Sequence, residues 1–291
     1  MVAADLDALS TFVGEHGFPC VVKPVAGSGS EGVAVVRHEG DLASAFERAS
    51  GEFEGLPDAG VLVEQFHEGP QFSVEAFSER GDHQVVAVTR KFSDPTTFVE
   101  LGHVAPADIT SQQHKEVEYY VERVLGALGV QFGATHTEIV LGEAGPRVIE
   151  THVRMGGDEI PALALDATGV DLAECVVRQL VGEKVLADVR AALDEERSAQ
   201  CSAIWFVAAP VAGVLADVSG LDEAGNTEGV TEVKLLVDPG STIGTLESSD
   251  SRVAYVRAVG KTADLAVNAA RKAAAHLEFQ LRVRAVSQQM V

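Results

Sequence analysis

The chain has 291 residues and a formal net charge of −22, which is long enough for two or three compact units with separate cores. So acidic a chain argues against nucleic acid or an anionic membrane as a partner, because both need a cationic face. Its three cysteines lie far apart in apolar contexts and the N-terminus lacks a signal-peptide core, so we expect a cytoplasmic protein with reduced thiols.

Hydrophobic periodicity predicts a mixed α/β chain. Asp5 and Asp41 can each open a helix whose apolar residues follow helical spacing. Residues 113–128 carry an apolar stripe along one helical face, and the composition of residues 159–197 is helical. Beyond them we expect a last unit of alternating strands that closes with a helix over residues 262–284. Its strands are predicted over residues 203–207, 230–237 and 252–259.

A glycine-rich loop follows the first apolar strand. That strand ends on Lys23, and Gly27, Gly29 and Gly32 precede a returning strand over residues 33–36. Backbone N–H groups of such a loop can wrap phosphate oxygens while the lysine supplies a charge. The lysine precedes the glycines and a strand follows them, so this is not a P-loop. We predict phosphate binding, with an ordinary turn as the alternative.

The most informative segment is a hairpin over residues 133–154 that turns near Ala144. If the turn centres there, Glu138 lies opposite Glu150 across the ladder. Carboxylates that face each other at roughly 5 Å repel one another, and a shared cation removes the penalty. Hard oxygen ligands suit Mg²⁺ that bridges a polyphosphate, and a solvated polar face is the alternative. The period of two places three more ionisable residues on this face: His136, His152 and Arg154.

In their order, these segments resemble the ATP-grasp superfamily, and in detail its L-amino-acid ligase branch. The resemblance covers residues 18–170 and continues more weakly beyond Ser198. It implies an α/β (α+β) protein with the ATP-grasp fold and a mixed or antiparallel sheet. Similar enzymes also carry an N-terminal α/β domain, and we expect this chain to begin too late to contain it. The expected domains are a lid subdomain at residues 1–65, a core with the metal site at residues 66–197, and a small α+β C-terminal domain at residues 198–291.

The resemblance also implies a nucleotide site. Lys23 would contact the α and β phosphates, the Glu64 side chain and the backbone after it would contact adenine, and ribose would lie near Gln71. The two Mg²⁺ ligands would be Glu138 and Glu150. The full set of expected ATP-binding residues is Lys23, Gly27, Ser28, Gly29, Ser30, Gly32, Glu64, Gln65, Phe66, His67 and Gln71.

On the substrate side, the resemblance points to residues 98–106 (F-V-E-L-G-H-V-A-P) and 155–158 (M-G-G-D). An ordinary loop salt bridge is the alternative for the acid and histidine of the first segment. His152 stands where the family has asparagine, so the identity of the third protein ligand of a second metal stays open. For His136, a hydrogen bond to a metal ligand and direct coordination of the metal are both possible roles. The expected catalytic residues are Arg154, His152, Glu100 and His103.

We therefore expect an ATP-dependent carboxylate–amine ligase that forms an amide bond between amino acids through an acyl phosphate. It would use ATP and Mg²⁺, with Mn²⁺ as the alternative metal, and would take a small carboxylate and a small amine. The rival interpretations are an ATP-grasp carboxylase or purine-pathway enzyme, and a nucleotide-binding partner subunit without activity alone. A homodimer and a partner that supplies the N-terminal domain are the two alternatives for assembly.

Overall fold

The computed structural model describes residues 1–27, 29–51, 59–195 and 200–282. They form two compact units. The smaller contains the described residues within 1–68, 93–99 and 246–251, and the larger contains those within 69–92, 100–245 and 252–282. Ser28 of the predicted phosphate loop and the predicted boundary at residues 197–198 lie outside the described residues. No helix in the described ranges is long and apolar enough to cross a membrane.

The smaller unit is built on a four-stranded sheet of β1 (Val2–Ala3), β2 (Cys20–Pro24), β3 (Ala34–Val36) and β4 (Val61–Gln65). Their order in the sheet is β1–β4–β2–β3. Its hairpin of β2 and β3 is the one predicted on either side of the glycine loop. Asp5 caps the first helix by accepting a hydrogen bond of 2.8 Å from the Ala8 amide, whereas Asp41 precedes the second helix without a side-chain cap. These two helices are α1 (Leu6–His16) and α2 (Leu42–Ala49).

The larger unit is built on an eight-stranded, mainly antiparallel sheet, accompanied by a second sheet of three strands. This mixture of helices and strands confirms the predicted α/β (α+β) class. The elements are β5 (Gln71–Glu79), β6 (Asp82–Ser93), β7 (Glu100–Ala105), α3 (Ser111–Ala127), β8 (Phe132–Gly142), β9 (Gly145–His152), α4 (Ile160–Thr168), α5 (Leu172–Leu180), α6 (Leu186–Asp194), β10 (Cys201–Ala208), β11 (Gly213–Ser219), α7 (Leu221–Gly225), β12 (Val230–Leu235), β13 (Thr242–Ile243), β14 (Arg252–Gly260), α8 (Ala263–Ala274) and β15 (Glu278–Arg282).

The strand order of the large sheet is β12–β14–β10–β7–β6–β5–β8–β9. C-terminal strands therefore continue the sheet that carries the candidate metal hairpin, and Trp205 of β10 pairs with Gly102 of β7. A Cβ at Gly102 would lie 2.5 Å from the Trp205 ring, so this pairing requires glycine. The division into three domains with boundaries after residues 65 and 197 stays a prediction.

Helices cover parts of the large sheet with separate apolar clusters. Val117, Val121 and Leu125 of α3 pack with residues of β5, β6 and β8. A second cluster joins Phe77 of β5 to residues of α5 and α6. Burial by helices explains why β5, β6 and β8 are rich in apolar residues, and it makes any ionisable side chain in them a feature that needs a partner.

The predicted closing helix is too long. It ends at Ala274, and residues 278–282 form β15, which pairs with β11. In this segment Phe279 and Leu281 alternate with polar residues and pack against the cluster around Leu215. A period of two is typical of a half-buried strand, so the tertiary partner outweighs the helical composition of the preceding residues.

Candidate active site

The β8–β9 hairpin has the predicted cross-strand pairs, although its turn differs from the prediction. The turn has two residues between the paired Gly142 and Gly145, and is not centred on Ala144. A register shift next to Glu138 then restores the predicted alignment. The pairs are His136 with His152 and Glu138 with Glu150.

Glu138 is held by a lysine that was not predicted from the sequence. The ammonium of Lys91, on β6, lies 2.6 Å from Oε2 of Glu138 and 3.0 Å from Oε1 of Glu100, and the Lys91 side chain is 2% exposed. Burial lowers the pKa of Lys91, but the charges and hydrogen bonds of Glu138 and Glu100 outweigh burial and raise it well above the usual value. A lysine inside an apolar strand was the available signal, because such a charge must be paired.

Glu138 remains ionised for the complementary reason. Burial raises the pKa of Glu138, but the charge of Lys91 and the hydrogen bonds from His136 and Lys91 hold it well below its usual range. Metal binding requires the ionised carboxylate, so this site keeps a candidate ligand in the competent state.

His136 joins Glu138 to a second residue that was not predicted, Glu75 of β5. Its Nδ1 lies 2.5 Å from Oε1 of Glu75, and its Nε2 lies 3.4 Å from Oε1 of Glu138. Burial lowers the pKa of His136, but hydrogen bonds to Glu138 and Glu75 outweigh burial and raise it to about 9. A protonated imidazole has no lone pair for a metal. The geometry therefore fits a residue that orients Glu138.

Glu75 is fully buried and also binds the loop that follows β9. Its Oε2 accepts a hydrogen bond of 3.2 Å from the Gly156 amide. Glu75 thus connects the imidazole beside the candidate metal ligand to the M-G-G-D segment. Its position in an apolar strand was the only sequence signal, because burial of a carboxylate requires such partners.

The second arm of the hairpin is partly exposed because β9 is the last strand of the sheet. Nε2 of His152 lies 3.2 Å from Oε1 of Glu150, and the two side chains are 41% and 46% exposed. Arg154 is also exposed and donates to the Met155 carbonyl at 2.8 Å. Val148 of the same strand is 39% exposed. An edge strand has no neighbour on its outer side.

One of the predicted catalytic residues, His103, belongs to a second cluster in the same unit. Nε2 of His103, on β7, lies 3.0 Å from Oδ2 of Asp158, and Arg252 of β14 binds both Asp158 oxygens at 2.7 Å. Burial raises the pKa of Asp158, but hydrogen bonds from His103 and Arg252 hold it well below the usual range. Arg252 was not predicted as a site residue, and its guanidinium lies 3.9 Å from the centre of the Phe206 ring.

The structure therefore brings Glu100, Glu138 and, through Glu75, the Gly156 loop into one connected network in the larger unit. His103 binds the same loop at Asp158. Gln71, expected near ribose, opens β5 opposite Val140.

The predicted adenine and phosphate residues lie in the smaller unit. On neighbouring strands, the Lys23 ammonium lies 2.7 Å from Oε2 of Glu64. The amide of Phe66, expected at adenine, donates to the Pro19 carbonyl at 3.3 Å, and Gln65 pairs with Cys20. His67 is exposed.

The glycine loop has the backbone that such residues permit. Gly27, Gly29 and Gly32 have φ values of 150°, 60° and 74°, and Ser30 has 63°. Ser30 donates its hydroxyl to the Phe98 carbonyl at 3.5 Å, within the same unit. These backbone angles do not test phosphate binding by the loop, which stays a prediction.

The carboxylate pair fits Mg²⁺ that arrives with a polyphosphate. Among the described residues, no group of three or more His, Cys, Asp or Glu side chains is arranged to hold a metal alone. Mg²⁺ commonly takes one or two carboxylates and completes its shell with phosphate oxygens and water. Glu138 and Glu150 supply that number of hard oxygen ligands from paired positions.

Comparison with known protein families agrees with this arrangement. Residues 16–162 match the family described as ATP-grasp domain. Residues 205–282 match the family described as L-amino acid ligase C-terminal domain 2. The two matches follow each other along the chain as the resemblance predicted.

Individual relatives show the same likeness. An uncharacterized protein of Sinorhizobium fredii is 31% identical over 268 residues, which covers 92% of this chain and 54% of that protein. Dapdiamide A synthase of Enterobacter agglomerans is 25% identical over 179 residues, or 58% of this chain and 41% of the synthase. The chain thus spans about half the length of these relatives.

Among solved structures, the L-amino acid ligase from Bacillus licheniformis aligns with a TM-score of 0.78 at 20% identity, covering 96% of this chain and 72% of the ligase. This likeness confirms the predicted ATP-grasp fold. Since the ATP-grasp match covers half of the sequence and a ligase-type C-terminal domain follows it, the chain belongs to the ATP-grasp family.

Proposed function

We propose that this chain carries the nucleotide and metal residues of an ATP-dependent ligase that joins the carboxylate of one amino acid to the amine of another. The observation that carries the proposal is the facing pair Glu138 and Glu150 in a chain that combines an ATP-grasp domain with an L-amino acid ligase C-terminal domain. The name of the Enterobacter agglomerans relative, a synthase, supports the same reaction class.

In the proposed reaction, the carboxylate substrate attacks the γ-phosphorus of ATP to give an acyl phosphate and ADP. The amine then attacks the acyl carbon, and phosphate leaves as the amide forms. Glu138 and Glu150 would hold Mg²⁺, which when bound offsets charge on the nucleotide phosphates. Lys23 would neutralise further phosphate charge beneath the glycine loop.

The remaining residues act on the substrates. Arg154 is exposed and uses one guanidinium nitrogen on the Met155 carbonyl. Its other N–H groups donate to none of the described residues, so they can stabilise the oxyanion and the departing phosphate. Glu100 would face the substrates from β7. His103 supports them indirectly by holding Asp158 in the Met155–Asp158 loop.

Phosphate release tests this function. The chain is incubated with ATP, Mg²⁺ and a mixed panel of amino acids, and the products are identified by mass spectrometry. Since the chain spans about half the length of its relatives, a version extended upstream is measured in parallel. We expect release that depends on amino acids and yields a dipeptide, and Glu138→Gln serves as the inactive control.

Two other outcomes favour the rival functions. Release that depends on bicarbonate in place of amino acids would point to a carboxylase. ATP binding by both versions without any release would point to a nucleotide-binding subunit.

A further inference from the structure

Lys91 is the most deeply buried cation beside the proposed metal ligand, and the proposed reaction gives it no role. Its ammonium lies between two carboxylates, 2.6 Å from Glu138 and 3.0 Å from Glu100. The three residues come from different strands, β8, β6 and β7. The Lys91 side chain is 2% exposed, whereas the two carboxylates are 17% and 16% exposed.

The Lys91 ammonium affects how a second cation binds at Glu138. Oε2 of Glu138 accepts from Lys91, and Oε1 faces His136 at 3.4 Å. An incoming Mg²⁺ must therefore share the carboxylate with a positive charge that already touches it, and in a partly buried site that repulsion is screened little. Phosphate oxygens that arrive with the metal would offset the repulsion.

We propose that Lys91 is a positioning residue: its ammonium is the resident counter-cation of Glu138 and ties this metal-binding carboxylate to Glu100. The proposal rests on the proposed function in taking Glu138 as a metal ligand. Lys91 holds Glu138 in a fixed orientation before any metal binds, and it disfavours Mg²⁺ that comes without a nucleotide. Glu100 binds the same ammonium. Lys91 therefore links the metal-binding carboxylate to Glu100.

A purely structural ion pair would hold β6 to its neighbours without affecting metal affinity. The two roles differ in what removal of the ammonium does to Mg²⁺ binding. Loss of a structural pair leaves that affinity unchanged or lowers it through disorder. Loss of a counter-cation raises it, since the ammonium no longer repels the incoming Mg²⁺.

The test is calorimetric titration of the free protein with Mg²⁺ alone, which needs no turnover. We expect Lys91→Met to bind Mg²⁺ about tenfold or more tightly than the wild type, and Lys91→Arg, which keeps the charge, to stay near the wild type. Adding Glu138→Gln to Lys91→Met should abolish the gain and so locate it. Affinity that is equal to or weaker than that of the wild type would overturn the proposal.

A second variant is used if Lys91→Met does not fold. If circular dichroism shows that Lys91→Met is unfolded, Lys91→Met/Glu100→Gln is titrated instead, since it leaves Glu100 uncharged and keeps the same summed charge at the two positions. Tighter Mg²⁺ binding is again expected because Lys91 contacts Glu138 directly, and unchanged binding contradicts the proposal. Absence of amino-acid-dependent phosphate release by both the chain and its extended version would refute the proposed function and leave this titration interpretable.

Discussion

Both carboxylate oxygens of Asp158 lie 2.7 Å from the guanidinium of Arg252, a residue 94 positions further along the chain. Asp158 and Glu159 have φ values of 54° and 59°, which residues other than glycine adopt rarely. A C-terminal strand thereby holds the Met155–Asp158 loop in a strained conformation beside the proposed substrate residues.

Arg252→Ala should destabilise the protein by about 3 kcal/mol, because it leaves a partly buried carboxylate without its main partner and removes the contact with Phe206. Urea unfolding measures the change. Arg178→Ala is the control, since Arg178 forms two ion pairs at an exposed position and such pairs contribute little. Equal effects of the two substitutions would show that the Asp158 pair does not stabilise the loop.

Two adjacent glycines allow a matched test of the Glu75 network. A Cβ at Gly156 would lie 2.8 Å from Nδ1 of His136 and 3.2 Å from both Glu75 oxygens, whereas a Cβ at Gly157 meets nothing within 4 Å. Gly156→Ala should therefore cost about 1–3 kcal/mol of unfolding free energy, and Gly157→Ala should cost little. Both substitutions lower unfolded-state entropy equally, so their difference isolates the clash. If Gly156→Ala and Gly157→Ala had the same urea midpoint, the clash inferred at Gly156 would be wrong.

Stability should fall in alkaline solution because of His136. Burial opposes its protonation, but hydrogen bonds to Glu138 and Glu75 raise its pKa to about 9, above the unfolded value of about 6.5. A raised histidine pKa stabilises the fold fully below pH 6.5, and the contribution, roughly 3 kcal/mol, is lost between pH 6.5 and 9. Urea unfolding at pH 6 and pH 9.5 measures it. His136→Gln should lack this slope, and an identical slope in that variant would assign the pH dependence to other groups.

Nucleotide affinity should depend on Lys23. Its ammonium is fixed 2.7 Å from Glu64 at the end of β2, and a triphosphate under a glycine loop needs a fixed cation. Lys23→Ala should weaken ATP binding about tenfold or more in calorimetry, while Lys184→Ala, at an exposed loop lysine, should not. Unchanged affinity in Lys23→Ala would show that the lid assignment is wrong.

Glu150→Gln should abolish Mg²⁺-dependent turnover and leave the circular dichroism spectrum unchanged. The substitution keeps the shape and removes one charge, and the side chain is 46% exposed, so the fold loses little. Full activity of Glu150→Gln would refute a metal site of two carboxylates.

His152→Asn should preserve the order of activity with Mg²⁺, Mn²⁺ and Zn²⁺. Nε2 of His152 lies 3.2 Å from Oε1 of Glu150, which fits a hydrogen-bonding partner of the metal ligand. A neutral imidazole is also a poor ligand for hard Mg²⁺. An altered metal ranking would instead identify His152 as a direct ligand.

Local patterns in the sequence were sufficient for the hairpin and for several helices. Strands have a period of two and turn residues limit the register, so the sequence alone aligned Glu138 with Glu150. The Asp5 cap and the apolar stripe of α3 are likewise properties of neighbouring residues. The order of motifs then identified the ATP-grasp family.

Only the tertiary structure revealed Lys91, Glu75 and Arg252. Each reaches its partner from a different strand, across sequence separations of up to 94 residues. Periodicity reports which face of a strand is buried, but it does not report which strand lies beside it. Pairing of distant strands is decided by the packing of the whole sheet. A buried charge in the sequence therefore indicates that a partner is required, but it does not identify the residue that is that partner.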